Sequence, residues 1–227
     1  MPRTLFHDRQ HAAAMLAERV AEARLPQPRV VLALPRGGAP IGAAVAQRLG
    51  AVLDLLLVRK IGAPWQSELA VGALVEGAEP LLVVDEDLAR RSGADSGYIE
   101  QCKAQAWQEI VRRRSLYLAG REPVPVQGAT VVVCDDGMAT GVTMRAALMA
   151  LKQRGAAGLV VAVPVASHEA IAALRHEADR VICLAEPIPF HAVGEHYADF
   201  HQLSDQEVID ALQSTTREKS AMDDQRA

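Results

Sequence analysis

Cysteine is scarce in this sequence. Cys102, Cys134 and Cys183 are the only three, far apart and with no CxxC pair, so neither a disulfide framework nor a zinc knuckle is readable. No charge sign dominates: 24 Lys and Arg face 28 Asp and Glu, a formal net charge of −4. That balance argues against a protein built to neutralise many phosphates along a nucleic acid. It leaves room for a small phosphorylated substrate, because one basic pocket can sit within an acidic surface. Long apolar runs are missing as well. The longest are about strand length, well short of the roughly 20 residues that span a bilayer. The first residues, MPRTLFHDRQHAAAML, turn polar too often for the apolar run of a signal peptide. The expectation is a soluble, cytoplasmic chain with no membrane or nucleic-acid partner.

The composition that remains is ordinary for a globular protein: 227 residues, 50% hydrophobic and 23% charged. That is enough chain for one large domain with its own core. From Asp8 to Arg24 apolar residues recur at helical spacing, with Asp8 placed to cap the helix. VVLAL (30–34) reads as a buried strand, broken by Pro35-Arg36-Gly37-Gly38. A helix follows over 40–49, closed by Gly50. Residues 52–58 (VLDLLLV) read as a single second strand ending at Arg59-Lys60. Short strands are predicted at 69–75 and 81–84, and a long helix over 95–118. Then come TVVVC (130–134), a helix over 143–154, a strand at 158–165, a helix over 168–176 and a last strand at 180–184. Strands alternating with helices predict an α/β fold: a mostly parallel central sheet with helices on both faces. Such a sheet gathers the C-terminal ends of its strands at one edge.

Residues 131–143, VVVCDDGMATGVT, carry the chemistry. An apolar strand runs directly into two acids, which are costly to bury without partners. At the C-terminal edge of a parallel sheet Asp135 and Asp136 face the crevice where ligands bind. The following loop contains Gly137, Gly141, Thr140 and Thr143, and a helix begins at once. It offers backbone N–H groups and a helix N-terminus to an anion. One turn thus presents acceptors for sugar hydroxyls and donors for a phosphate, the pair a ribose 5-phosphate requires. No Lys follows the second glycine as in a Walker A loop, and the GxGxxG spacing of dinucleotide sites is absent.

VVVCDDGMATGVT resembles the thirteen-residue signature of type I phosphoribosyltransferases, enzymes that use 5-phosphoribosyl-1-pyrophosphate (PRPP). It is complete here, with Cys134 at a usually aliphatic position. LPRGGAPIG (34–42) resembles the family's pyrophosphate loop, and VRKIG (58–62) its second basic site. Through PFHAVGEHYADFHQLSDQEV (189–208) the chain is similar to a bacterial branch of predicted phosphoribosyltransferases. The resemblance covers about residues 1–212 and implies one domain there, with a flap or arm insertion at 76–122 and a small hood at 186–203, while the polar tail over 213–227 is expected to be disordered. It implies a homodimer too.

By the same resemblance Asp135 and Asp136 hold the ribose 2- and 3-hydroxyls. Backbone amides of Ala139, Thr140, Gly141, Val142 and Thr143, with the two threonine hydroxyls, hold the 5-phosphate. Arg36, Gly37 and Gly38 take the pyrophosphate, in a loop expected to contain a strained or cis peptide between residues 35 and 38. Arg59 and Lys60 reach pyrophosphate or the acceptor, or else form a solvated strand end. Mg²⁺ is expected mostly on substrate oxygens and water, touched by Asp135 and Asp136 only indirectly. Phe190, Tyr197 and Phe200 cluster in a chain with only three Phe, three Tyr and two Trp. They form a stacking wall for a flat acceptor, or simply anchor the covering segment. Arg112, Arg113 and Arg114 read as a solvated face, and Glu68 as a substrate contact or a turn cap. The activity implied is Mg²⁺-dependent transfer of a 5-phosphoribosyl group to a nitrogen acceptor. A PRPP-sensing module and a phosphorolytic enzyme stay open beside it.

Overall fold

The structure is a computed structural model that describes residues 4–118 and 120–224; the side chains of Glu68 and residues 215–224 are outside that description. In chain order the elements begin with α1 (Arg9–Glu22), β1 (Arg29–Ala33), α2 (Gly38–Leu49), β2 (Val52–Leu55), β3 (Val58–Ala63), β4 (Gln66–Val75) and β5 (Leu81–Val84). They continue with α3 (Glu86–Ser92), α4 (Ser96–Leu118), β6 (Thr130–Cys134), α5 (Val142–Gln153), β7 (Gly158–Val165), α6 (His168–Leu174), β8 (Arg180–Ala185) and α7 (Asp205–Asp224).

Five strands form a central sheet in the order β2-β1-β6-β7-β8, and every pairing in it is parallel. Successive residues of these strands enter opposite layers, as the period of two requires. Val31, Ala33, Val132, Cys134, Val160 and Ala162 pack on one face with α1, α2 and part of α4. Val30, Leu32, Val131, Val133, Val161 and Val163 pack on the other with α5 and α6. Asp8 caps α1 by accepting from the His11 N–H at 2.8 Å, and Gly50 closes α2 in the left-handed conformation.

The run 52–58 is not one strand. Strand β2 ends at Leu55, and β3 belongs to a second, antiparallel sheet in the order β3-β4-β5. Leu56 and Leu57 cross between the two sheets and are buried. An apolar crossing therefore reads like strand interior. The Leu57 N–H leaves the ladder and donates to Glu76 Oε1 at 2.9 Å. The second sheet, α3 and the start of α4 share a small core of their own, made of Ile61, Ala63, Val71, Ala89, Ala94 and Ile99. The rest of α4 is anchored in the main core through Ala106, Ile110, Tyr117 and Leu118. Segment 186–203 is irregular apart from a 3₁₀ turn, Val193–His196. Helix α7 begins inside the expected domain and runs on to Asp224, through the segment expected to be disordered. Its Val208 and Leu212 are buried in the main core, and extending a helix already begun is far easier than starting one. Residues 225–227 lie outside the described residues.

Candidate active site

The pairing of β1 with β6 aligns Ala33 with Cys134. The loops that follow these strands therefore leave the sheet side by side. The Leu34 N–H donates to the Cys134 carbonyl at 2.9 Å. The Pro35–Arg36 peptide is cis, inside the stretch where the sequence reading placed an unusual bond. Gly37 has ordinary right-handed helical angles, so it is not needed for its conformational freedom. It is needed for space: a Cβ there would lie 2.0 Å from Asp136 Oδ2. A Cβ on Gly38 would lie 2.5 Å from the Cys134 carbonyl oxygen. The Arg36-Gly37-Gly38 loop is thus packed directly on the carboxylate pair.

Asp136 is held from four directions. Its N–H donates to Asp135 Oδ1 at 2.9 Å, and its carbonyl accepts from the Tyr197 hydroxyl at 2.6 Å. Gly37 abuts the carboxylate, and Arg9 Nε donates to its Oδ2 at 2.8 Å. Burial raises both carboxyls above their ordinary values. For Asp135 the neighbouring Asp136 adds to the rise, while the Asp136 N–H and the Lys60 charge oppose it. For Asp136, Arg9 supplies the main opposition. Carboxyls perturbed by burial and by each other, at the mouth of a sheet, make this pair the candidate functional site.

The loop after Asp136 is set by backbone. Met138 bridges to Ala166, and the Ser167 hydroxyl donates to the Ala139 carbonyl at 2.7 Å. Gly141 takes a left-handed φ of 74° as the residue before α5, and no side chain caps that helix. The first-turn N–H groups of α5 are therefore available to an anion. Ala139 and Thr140 are exposed, while Val142 and Thr143 are half-buried.

The basic residues divide. Lys60 acts electrostatically on Asp135. Arg59 turns instead toward α4, half-buried among Arg113, Glu109, Arg112 and Tyr117, and burial lowers its pKa. Arg36 lies 3.8 Å from Asp205 Oδ1, an oxygen that also accepts from the Tyr117 hydroxyl at 2.5 Å. The arginine run is only partly a solvated face. Arg112 and Arg113 pair with Glu109, but Arg114 donates to the buried Glu76 at 2.8 Å. Glu68, weighed as a substrate contact, has its side chain outside the described residues.

The hood aromatics are largely occupied. Tyr197 is buried, its ring 5.3 Å from Phe6 and 5.0 Å from Phe200. It braces Asp136 and cannot offer an open stacking face. Phe200 lies under the Arg9 guanidinium at 3.9 Å, and Phe190 packs on His196 at 5.1 Å. Val193 presses on Gly137, where a Cβ would meet it at 2.5 Å. The hood therefore rests on the carboxylate turn itself. Sequence reading missed Arg9, Asp205 and Tyr117, because each reaches the site from a distant helix. The Phe-x-Asp-Arg run at 6–9 was the one local signal for Arg9, an arginine just after a helix cap. A cavity of about 660 Å³ is lined by Arg9 together with Pro40, Ala43, His201, Leu203 and Glu207 among others.

Among the described residues no group of three or more His, Cys, Asp and Glu side chains gathers as a metal-ligand set. The donors available to an ion in the cleft are the Asp135 and Asp136 carboxylates, a set suited to Mg²⁺ that arrives on substrate oxygens. Among the described residues no helix is long and apolar enough to cross a membrane.

Known proteins are similar to this chain in sequence and in fold. Two curated Mycobacterium tuberculosis relatives (strains CDC 1551 and H37Rv), each named "Putative phosphoribosyl transferase", are 40% identical over 214 residues, 94% of this chain. The chain spans about half of their length, 48%. The crystal structure of TT1426 from Thermus thermophilus is similar at 44% identity and a TM-score of 0.78, over 92% of this chain and 97% of that one. A hypothetical protein from Neisseria gonorrhoeae, solved with bound ppGpp, shares the fold at 15% identity and a TM-score of 0.52, over 94% of this chain and 98% of that one. The family model described as phosphoribosyl transferase domain matches residues 7–199. That span runs from the residues around Arg9, through both loops and the carboxylate pair, to the hood, and with it the chain belongs to the phosphoribosyl transferase family.

Proposed function

We propose that this chain transfers a 5-phosphoribosyl group between PRPP and a nitrogen acceptor such as a nucleobase, with pyrophosphate leaving and Mg²⁺ required. One observation carries the reading. The carboxylate pair is flanked on one side by an uncapped helix N-terminus and on the other by an Arg-Gly-Gly loop pressed against it. Acceptors for two sugar hydroxyls thus lie between a seat for a 5-phosphate and a cationic seat for a leaving group.

In the forward direction the bond from C1 to the pyrophosphate oxygen breaks and a bond from C1 to the acceptor nitrogen forms. Positive charge develops near C1, as in glycoside chemistry, and nearby carboxylates stabilise it. Asp135 and Asp136 fix the ring through its hydroxyls. The amides of residues 139–143, with Thr140 and Thr143, anchor the 5-phosphate. Arg36, Lys60 and the Gly37 amide receive the departing pyrophosphate, with Gly38 keeping the loop backbone close and Arg59 behind them. Mg²⁺, held on substrate oxygens and through water to Asp135 and Asp136, would neutralise charge on the leaving group. The acceptor enters beneath the hood beside Phe190 and Phe200. The segment 76–122 serves as the covering arm. Its α4 end is anchored in the main core, and β5 and α3 belong to the second sheet and its small core, so that sheet moves with them in closing over the site to exclude water. The enzyme is read as cytoplasmic and homodimeric.

Calorimetric titration with PRPP and Mg²⁺ tests this on wild type and the Asp135→Asn, Asp136→Asn double variant. Binding by wild type, lost in a folded double variant, is the expected result. An acceptor panel that then yields pyrophosphate establishes transfer. PRPP binding without turnover across that panel would favour a sensing module. Phosphate in place of pyrophosphate would favour phosphorolysis. No PRPP binding at all would remove the reading.

A further inference from the structure

We propose that Arg9 is the positioning residue of the sugar-diol site, holding the Asp136 carboxylate in the orientation in which it grips a ribose hydroxyl. The proposal rests on the sugar-phosphate reading above. Arg9 is buried, and a buried arginine needs partners that satisfy it. Three contacts fix its plane. Nε donates to Asp136 Oδ2 at 2.8 Å, one terminal nitrogen donates to the His201 carbonyl at 2.8 Å, and its face covers Phe200 at 3.9 Å. The guanidinium fork is rigid, so it transmits that fixed plane to the carboxylate.

With Oδ2 tied to Arg9, the carboxylate presents its remaining lone pairs to the sugar. Asp136 is braced through its backbone by Asp135 and Tyr197, at its carboxylate by the neighbouring Asp135 carboxyl, and by contact with Gly37. Among the contacts to the carboxylate itself, the charge-assisted hydrogen bond from Arg9 at 2.8 Å is the strongest hold on its orientation. Arg9 also lines the neighbouring cavity, in which Asp136 takes no part. Arg9 enters the site 127 residues upstream of its partner and works through Asp136. A purely structural tie between α1, the hood and β6 would look similar in a static picture. The two roles part in what they do to sugar discrimination. A structural tie weakens all ligands of the cleft alike, whereas a positioning residue erodes the preference for hydroxyls.

The test is calorimetric titration with ribose 5-phosphate and with its 2-deoxy and 3-deoxy analogues. The proteins are wild type, Arg9→Gln, Arg9→Lys, Phe200→Leu, Asp136→Asn and the Arg9→Gln, Asp136→Asn double variant, each checked by thermal unfolding. Wild type is expected to prefer ribose 5-phosphate over at least one deoxy analogue by about tenfold or more, the worth of a hydrogen bond to a charged group. Arg9→Gln should bring that preference near unity while affinity for that deoxy analogue stays within about threefold. Arg9→Lys should restore part of it, and Phe200→Leu should lose a smaller part. In the Asp136→Asn background Arg9→Gln should add nothing, since the residues act as one unit. Equal losses for all three sugars, or additive losses in the double variant, would overturn the proposal. If Arg9→Gln does not fold, Arg9→Lys and Phe200→Leu carry the same comparison. If wild type does not discriminate among the sugars, the sugar-phosphate reading fails, and crystal structures decide the positioning role separately. An Asp136 carboxylate displaced or split in Arg9→Gln supports it, and one unmoved overturns it.

Discussion

Adding a methyl group at Gly37 would drive it into the Asp136 carboxylate, 2.0 Å from Oδ2 and 2.3 Å from Cγ. Ordinary contact begins near 3.4 Å, so the carboxylate must withdraw by about 1.4 Å, the difference between those two distances. A shift of that size breaks the 2.8 Å bond from Arg9. The backbone of Gly37 is already right-handed, so the whole effect is steric. Overpacking of this kind costs about 2 kcal/mol, which for a chain of this size lowers Tm by about 4–8 °C. Gly38→Ala meets a harder obstacle, the Cys134 carbonyl at 2.5 Å. That carbonyl already accepts the Leu34 N–H and belongs to a paired strand, so it cannot swing aside. The expected cost is about 3 kcal/mol or more, a Tm fall of about 6–12 °C. The informative comparison places Gly37→Ala in an Asp136→Ala background, followed by circular dichroism melts. There the three atoms nearest the methyl group are gone, and its cost should largely vanish, a non-additivity expected only of touching residues. If Gly37→Ala costs as much in that background as alone, or melts with wild type, the loop does not press on the carboxylate and the argument fails.

Two other perturbations probe the frame around the site. Glu76 is buried between the Leu57 N–H at 2.9 Å and Arg114 at 2.8 Å, so Glu76→Ala strands a partly buried arginine and should cost about 3 kcal/mol in urea unfolding; a loss below about 1 kcal/mol would show the pair to be solvated. His201 bonds both Asp199 and Glu207, which raises its pKa above 6.5 while Glu207 is held down at about 2. The His201 share of this tie is full below pH 6.5 and is lost as pH climbs through the raised value. The Glu207 share is full above pH 4.5 and is lost as pH falls toward about 2. The Tm gap between wild type and His201→Gln should therefore be widest between those two ordinary values and close in alkali. A gap that widens in alkali would contradict the assignment.

The central layer was legible in the sequence because each strand is a short, uninterrupted apolar run bounded by turn residues. The carboxylate turn was legible because its chemistry is contiguous: strand, two acids, glycine loop and helix follow one another. The break after Leu55 was hidden, since Leu56 and Leu57 are as apolar as the strand they leave. A buried crossing carries no period of its own. Arg9 was hidden for another reason. It lies on the same strongly periodic helix that the pattern finds, but its partners are 127 and 192 residues away, and one sequence carries no record of such pairings. The hood aromatics clustered as read, yet clustering could not say whether they faced a ligand or one another. Tyr197 shows the second outcome, spending its hydroxyl on the Asp136 carbonyl.

The separation between Arg9 and the His201 carbonyl has a consequence for vectorial synthesis on the ribosome. At about 5–20 residues per second, the nascent chain waits on the order of 10–40 s between emergence of Arg9 and of the hood that receives it. Meanwhile α1 can dock on α2, its neighbour in the main apolar layer, and keep the arginine near its final place. The polar centre of the cleft is therefore among the last parts of the molecule to close, and a ribosome stalled before residue 201 would hold a nearly complete sheet with its carboxylate pair still uncovered.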